Sequence, residues 1–276
     1  MTSRTQLLQP AVAAIWASLL REVRVVGRYK THSLFELGWA SLFFLPLLLT
    51  SRAFGSEGFE ASGSGTSFAG YAGVGLLSMH VATSVLYSGF LFLSEGNQTG
   101  VLPHVWTTSV ARWIPLLAAT LFDLSQSALR AVLALAMLFV VLGADAPSVN
   151  PAGVVALALG ALIFWGSGMA YAGIGLWARS GLIATMINGS LFLMAGAAFP
   201  ITISPWSIRW ISYAIPHTYV IDAIRGAMLG TPTLVPLAAE FVLIAVLAFV
   251  AVAGGIAAFA AMDRRAIRKG VIGLYT

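Results

Sequence analysis

The run from Leu237 to Ala261 carries one charged residue, Glu240, over a length sufficient to cross a bilayer. Comparable apolar runs recur through the chain, and this recurrence restricts the fold more than any other feature. Inside a hydrocarbon layer every backbone polar group needs an internal partner, so only helices or a closed barrel can span it. Barrel strands would give segments of about ten residues with strict alternation. Continuous runs of about 18 residues or more call for helices instead. The composition agrees: 59% of the 276 residues are hydrophobic and only 9% are charged, with a mean hydropathy of +0.90. The expected fold is an all-α polytopic membrane protein with six transmembrane helices.

The spans are placed at about Ser33 to Thr50, Tyr71 to Leu93, the run ending at Leu142, Val154 to Ala178, Leu182 to Ala198 and Leu237 to Ala261. Residues 1–32 form a tail and an amphipathic stretch, and 33–276 the membrane domain. Between Pro10 and Lys30, Ile15, Trp16, Leu19, Leu20 and Val23 fall at helical spacing among Arg21, Arg24, Arg28 and Lys30. That pattern suits a helix lying in the membrane surface with its cations toward anionic lipid. A plain basic flank that only sets topology is the alternative.

The net charge of +5 does not indicate a nucleic-acid partner, because the basic residues sit at helix ends rather than in a stripe on one surface. Arg4, Arg21, Arg24, Arg28, Lys30, Arg112, Arg179, Arg264, Arg265, Arg268 and Lys269 fall on one side of a six-span topology. Arg52, Arg209 and Arg225 fall on the other, and Arg130 lies within a span. The positive-inside rule then puts both termini in the cytosol of a bacterial-type plasma membrane. No short apolar core with a small-residue cleavage site precedes the first span, so no cleaved signal peptide is expected. The chain has no Cys, which removes disulfides, thiolate metal sites and cysteine nucleophiles.

Polar residues within or between spans are the functional candidates. His80 and Tyr87 lie in the second span, where a histidine must face protein or water, in a packing or a pathway role. Asp123 and Arg130 are seven residues apart, two turns on one face of the third span. They suit either an internal electrostatic contact or, for Asp123, a carboxylate reaching the membrane surface. Between the second and third spans Gly96, Gly100 and Pro103 read as helix breakers, with a short amphipathic piece from about Gly100 to Thr108. After the fifth span Pro200, Pro205 and Pro216 divide the chain into two short helices, about Trp206 to Tyr213 and His217 to Leu229. Such a hairpin either re-enters the membrane under a cover of protein or water, or lies on the headgroups with its aromatic residues at the interface.

Two of these stretches together resemble the permease subunits of ABC-2 type transporters, the group with a type V exporter fold. Glu95, Gly100, Leu102, Thr107, Thr108, Ser109 and Arg112 match the family's cytosolic loop, and Pro200, Pro205, Pro216, Thr218, Tyr219 and Arg225 its exofacial hairpin. The resemblance implies a homodimer, or a heterodimer with a sister permease, and a separate ATPase subunit. It also implies that Glu95, Gly100, Leu102, His104 and Trp106 belong to a coupling element docked on that ATPase. By the same resemblance His80, Tyr87, Met186, Asn188, Phe192, Met194 and Phe199 line a pathway. Pro216, Tyr219 and Arg225 then form an exofacial gate, Arg225 being held by an ion pair to Asp222 or Glu240. No cofactor is expected in this chain, since a phosphate loop needs Gly-Lys-Ser/Thr and neither lysine follows a glycine. ATP and Mg belong to the expected partner.

The function so implied is ATP-driven export of an amphipathic small molecule or lipid out of the cytoplasm. Export of a lipid-linked polysaccharide is the nearest rival. An ion-coupled secondary transporter would call for midplane acids and repeated halves, which are not evident. An intramembrane enzyme has little to recommend it, because His32, His80, His104 and His217 lie on separate elements and no HExxH, GxSxG or paired-carboxylate signature occurs. No metal site is expected.

Overall fold

The computed structural model describes residues 66–108, 111–142, 148, 150–178 and 181–268, with residue 50 and a subset of residues between 12 and 31. In chain order the helices are α1 (Phe68–Gln98), α2 (Val101–Trp106), α3 (Trp113–Leu142), α4 (Pro151–Ala178), α5 (Gly181–Met194), α6 (Trp206–Ala214), α7 (Pro216–Leu229) and α8 (Leu237–Arg268). A 3-10 turn, Ile201–Ile203, precedes α6. No β-strand occurs among the described residues. The chain is a polytopic all-α membrane protein: α1, most of α3, α4 and α8 are each long and apolar enough to cross a bilayer.

Local chemistry sets the helix ends. The Ser67 hydroxyl accepts from the Gly70 amide at 3.2 Å and caps α1. Asn150 Oδ1 does the same for α4, accepting from Gly153 at 2.8 Å, with Pro151 in the first position where its missing donor costs nothing. Gly230, at φ 69°, closes α7 in the left-handed conformation that glycine tolerates.

The centre of the bundle is α4, which packs against α1, α7 and α8. Glycines let backbones meet there: Gly166 of α4 faces the Ala251 backbone, and a Cβ at Gly255 would collide with the Gly166 carbonyl. Leu77 and Val85 of α1, Ile163 of α4, Ile221 and Ile224 of α7 and Ile244 of α8 fill one continuous core. On the outer face of α8, Val242, Val246, Phe249 and Val250 are exposed at helical spacing. A stripe of this kind is stable against lipid tails, not water.

Several expectations are revised. The first span falls outside the described residues. Described residues between 12 and 31 are helical, as the amphipathic stretch requires, and Arg21 lies over the Phe92 ring at 5.3 Å. The apolar run expected as a fifth span ends early: α5 has 14 residues, about 21 Å at the α-helical rise, short of a full crossing. Gly196 at φ 73° turns the chain out of it. Gly96 does not break α1, which continues to Gln98; the break is Gly100 at φ 71°. Pro103 is the third residue of α2 and needs no intrahelical donor. The last helix does not stop at Ala261 but carries the basic tail on to Arg268.

Candidate functional site

Two ends of the bundle collect the candidate residues. At the first, α1 ends, the chain reverses at Gly100 and α2 lies across the bundle. Leu102 is 1% exposed and sits among Leu93, Leu116, Met169 and Phe259, which come from α1, α3, α4 and α8. Trp106 is also buried and donates its indole N–H to Asp263 Oδ1 of α8 at 2.9 Å. Arg112 donates to Asp263 Oδ2 at 2.6 Å and lies over the Trp106 ring at 5.7 Å. The hydroxyls of Thr107 and Thr108 donate to the carbonyls of His104 and Val105 and close the end of α2.

This anchored helix leaves an outward face. Glu95, Gly100, Val101 and His104 are exposed, whereas Leu102 and Trp106 point inward. The five expected coupling residues therefore divide into a presented set and an anchoring set. Sequence reading missed Asp263, whose only local signal is an acid set before Arg264 and Arg265.

At the opposite end α6 and α7 form the hairpin. Thr218 donates to the Ser212 carbonyl at 2.8 Å and Tyr219 to the Tyr213 carbonyl at 2.9 Å, which pins α7 against α6, while Pro216 opens α7. His217 is buried and stacked on Phe164 of α4, ring centroids 5.0 Å apart. Burial pushes its imidazole down to about 4. Ser148 and Asn150 donate to the carbonyls of Met228 and Ala227, so the entry to α4 holds the end of α7.

Arg225 does not use the carboxylate partner expected for it. Its Nε donates to the Tyr71 carbonyl and its Nη1 to the Gly196 carbonyl, both at 2.9 Å, and its Nη2 donates to the Ala197 carbonyl. The guanidinium also stacks on the Tyr71 ring at 3.6 Å. A cation is favoured here because the unsatisfied carbonyls and dipole of α5 converge at its end. Arg225 thus ties α7 to α1 and to the turn that follows α5. A Cβ at Gly75 would overlap its guanidinium.

The expected pathway residues do not share one surface. On α5, Thr185, Met186, Gly189, Ser190 and Leu193 are exposed together, one helical face of small, polar and apolar groups. Met186 is the one pathway candidate on that face. Asn188 instead accepts from Thr83 of α1 at 3.2 Å, and Phe192 packs toward the core. Tyr87 joins an aromatic cluster with Phe90 and Tyr171, centroids 6.4 and 5.4 Å away. His80 and Met194 are half-buried. Phe199 is 55% exposed and leans on Phe68. Asp123 and Arg130 are half-buried on α3, and Arg130 Nε donates to the Gln126 carbonyl at 3.3 Å. Among the described residues no three His, Cys, Asp or Glu converge as metal ligands.

The helical membrane domain thus carries a short anchored helix across one end and a proline-bounded hairpin at the other. The family profile described as ABC-2 type transporter matches residues 13–229. The chain belongs to that family, and is a membrane transport subunit of an ABC system, a system that includes an ATPase. No curated protein matches the chain.

Proposed function

We propose that this chain is the permease half of an ABC exporter that moves an amphipathic small molecule or lipid out of the cytoplasm. A separate ATPase, which holds the ATP and Mg, docks against the outward face of α2. The observation that carries this reading is the division of α2 into a buried anchor and an exposed face. Leu102 and Trp106 grip four spanning helices, so force applied at Glu95, Val101 and His104 reaches the bundle instead of bending a loop. Glu95 supplies a charge for a basic groove on the ATPase.

The exposed face of α5 supports a dimer whose second copy, identical or a sister permease, encloses the pathway. Thr185, Gly189 and Ser190 allow close approach and light polar contact, and Met186 and Leu193 supply apolar surface. That mixture suits an amphipathic cargo better than an ion. Exposed Arg264, Arg265 and Arg268 at the α2 end match the positive-inside rule with that end, and both termini, in the cytosol of a plasma membrane. The hairpin end then faces outward.

The test is ATP hydrolysis by the permease co-purified with an ATPase in lipid nanodiscs, comparing the native chain with Glu95→Ala and with His104→Ala. The expected outcome is retained folding with weakened association or hydrolysis that no longer responds to cargo, since differential contact in the two nucleotide states is what biases the permease. Unchanged association and coupling in both variants would remove α2 from the docking surface.

A further inference from the structure

The joint between the hairpin and the last span is made by two acids. Asp222 lies in the middle of α7 and Glu240 in the first turn of α8, and their side chains are hydrogen-bonded to each other. Glu240 is fully buried, and no N–H or hydroxyl among the described residues donates to either of its carboxyl oxygens. Asp222 is half-buried, and its Oδ2 accepts from the Leu234 amide at 2.6 Å. It also lines a cavity of about 340 Å³ at the hairpin end, whose wall does not include Glu240.

A hydrogen bond between two carboxyl groups requires a proton on one of them, because an ionised carboxylate only accepts. Two anions in contact away from water do not both persist. Arg225, one turn after Asp222 on α7, is buried beside it and contributes one positive charge. The three groups are therefore neutral together when the pair holds a single proton. The Leu234 amide and the guanidinium favour the charge on Asp222, which leaves the proton on Glu240.

The other ionisable groups around the pair are engaged elsewhere. Tyr219 of α7 donates to the Tyr213 carbonyl of α6, Tyr71 of α1 lies under Arg225, and His217 is stacked on Phe164. Arg209 of α6 holds the carbonyls of Thr202 and Ser204. Tyr171, the one ionisable side chain of α4, sits in the cluster with Tyr87. A metal ion would need further ligands, and among the described residues no third His, Cys, Asp or Glu joins the two acids.

We propose that Asp222 and Glu240 form a one-proton site, in which the shared proton latches α7 to α8 and exchanges with the cavity through Asp222. Loss of that proton places two like charges in contact at the joint and loosens the hairpin. The latch is independent of where an ATPase docks.

The first test is infrared spectroscopy of the full chain at pH 6.5, where exposed carboxyl groups are ionised, in a maltoside detergent that has no carbonyl of its own. The native chain should show the carbonyl stretch of a protonated carboxylic acid. Glu240→Gln, whose amide can still donate to Asp222, should remove that band. Asp222→Asn should move it to higher frequency, because a neutral acceptor makes a weaker hydrogen bond. Unfolding midpoints give a second readout. An unfolded glutamate loses its proton near its ordinary value of about 4.3, whereas the folded pair keeps it, so the folded chain binds more protons and its stability falls as pH rises. Between pH 5 and pH 8 the native midpoint should drop relative to that of Glu240→Gln, by about 3 °C for each pH unit over which the pair keeps its proton. His217 contributes to both proteins and cancels in the difference. Should Glu240→Gln fail to fold, the shift of the band in Asp222→Asn decides. Absence of the band in the native chain, a band that no folded variant alters, or midpoints that run parallel would overturn the proposal.

Discussion

Trp106 and Asp263 lie 157 residues apart and share a 2.9 Å hydrogen bond that fastens the short helix α2 to the last turns of α8. Arg112 completes the arrangement on the other carboxylate oxygen. The carboxylate thus has a donor on each oxygen, which is the condition under which a largely buried charge is tolerated. Because α8 is fastened in turn to α4 through Gly166 and Gly255, α2 is mechanically continuous with two spanning helices besides the α1 and α3 that flank it in sequence.

Asp263→Ala removes both acceptors, leaving a buried indole N–H and a half-buried guanidinium without partners. The expected cost is about 2 kcal/mol, or about 4 °C in midpoint for a chain of this size. Asp263→Asn keeps an acceptor for Trp106 and should cost less. In the reconstituted complex both variants should hydrolyse ATP while moving less cargo per ATP than the native chain. Full coupling in Asp263→Ala would show that α8 takes no part in transmission.

Gly254 and Gly255 are adjacent in α8 but differ in surroundings. A Cβ on Gly254 meets nothing, whereas one on Gly255 strikes the backbone of Gly166. Gly254→Val should fold with a midpoint close to the native value. Gly255→Val must push α4 and α8 apart, an overpacking cost of about 1–3 kcal/mol or more. Comparing the yields and unfolding midpoints of the two proteins in one detergent checks this; equal behaviour would mean that the helices do not meet there.

Arg225 works through the shape of its head group as well as its charge. A lysine at 225 retains the charge, yet its single nitrogen cannot serve carbonyls on Tyr71, Gly196 and Ala197 in the same fork geometry. Arg225→Lys should therefore destabilise the hairpin end, and Arg225→Leu more so, leaving buried carbonyls without donors at about 1–3 kcal/mol each. Gly75→Ala, which intrudes on the guanidinium, should produce a related defect without altering charge. Hydrogen exchange at Ala195 to Ala198 reads all three, with faster exchange expected. Protection equal to the native protein in Arg225→Lys would rule out the three-carbonyl clamp.

What the sequence made legible depends on how local each cause is. Proline and glycine act on their own backbone, so Pro216 and Gly230 announce the limits of α7 almost to the residue, and Gly100 announces the reversal before α2. Gly96 carried the same letter without the same meaning, because glycine permits a left-handed turn and does not impose one. Apolar runs located α1, α3, α4 and α8, but they overstated α5, which gives way to a turn at Gly196 whose carbonyls Arg225 holds from α7. The partners of Arg225 could not be read because they are carbonyls, which every residue has. A sequence displays carboxylates as candidate partners, and Asp222 and Glu240 drew attention for that reason. Asp263 was hidden by the reverse effect, its contact with Trp106 being made only when α2 meets the last turns of α8, and its neighbours Arg264 and Arg265 reading as topology signals. On α5 the pathway candidates were chosen by residue type, while the exposed face is defined by helical phase, which brings Met186 together with Thr185, Gly189, Ser190 and Leu193.

His217 makes the stability of the hairpin end depend on pH. Its imidazole is buried against Phe164, and burial lowers it from the usual 6.5 to about 4 in the folded chain. The unfolded chain therefore binds a proton first as pH falls, so the contribution is fully present above 6.5 and declines as pH drops from 6.5 toward 4. The difference corresponds to about 3 kcal/mol by linkage. Carboxyl groups also titrate in the lower part of this interval, so the informative quantity is the difference between the native chain and His217→Phe, in which an apolar ring can keep the stack. Unfolding midpoints measured from pH 7.5 to pH 4.5 should fall more steeply for the native chain than for the variant, with the two curves separating below about 6.5. Parallel curves would mean that His217 is hydrated or already protonated in the folded protein, and that the packing of α7 on α4 is looser than the 5.0 Å stack implies.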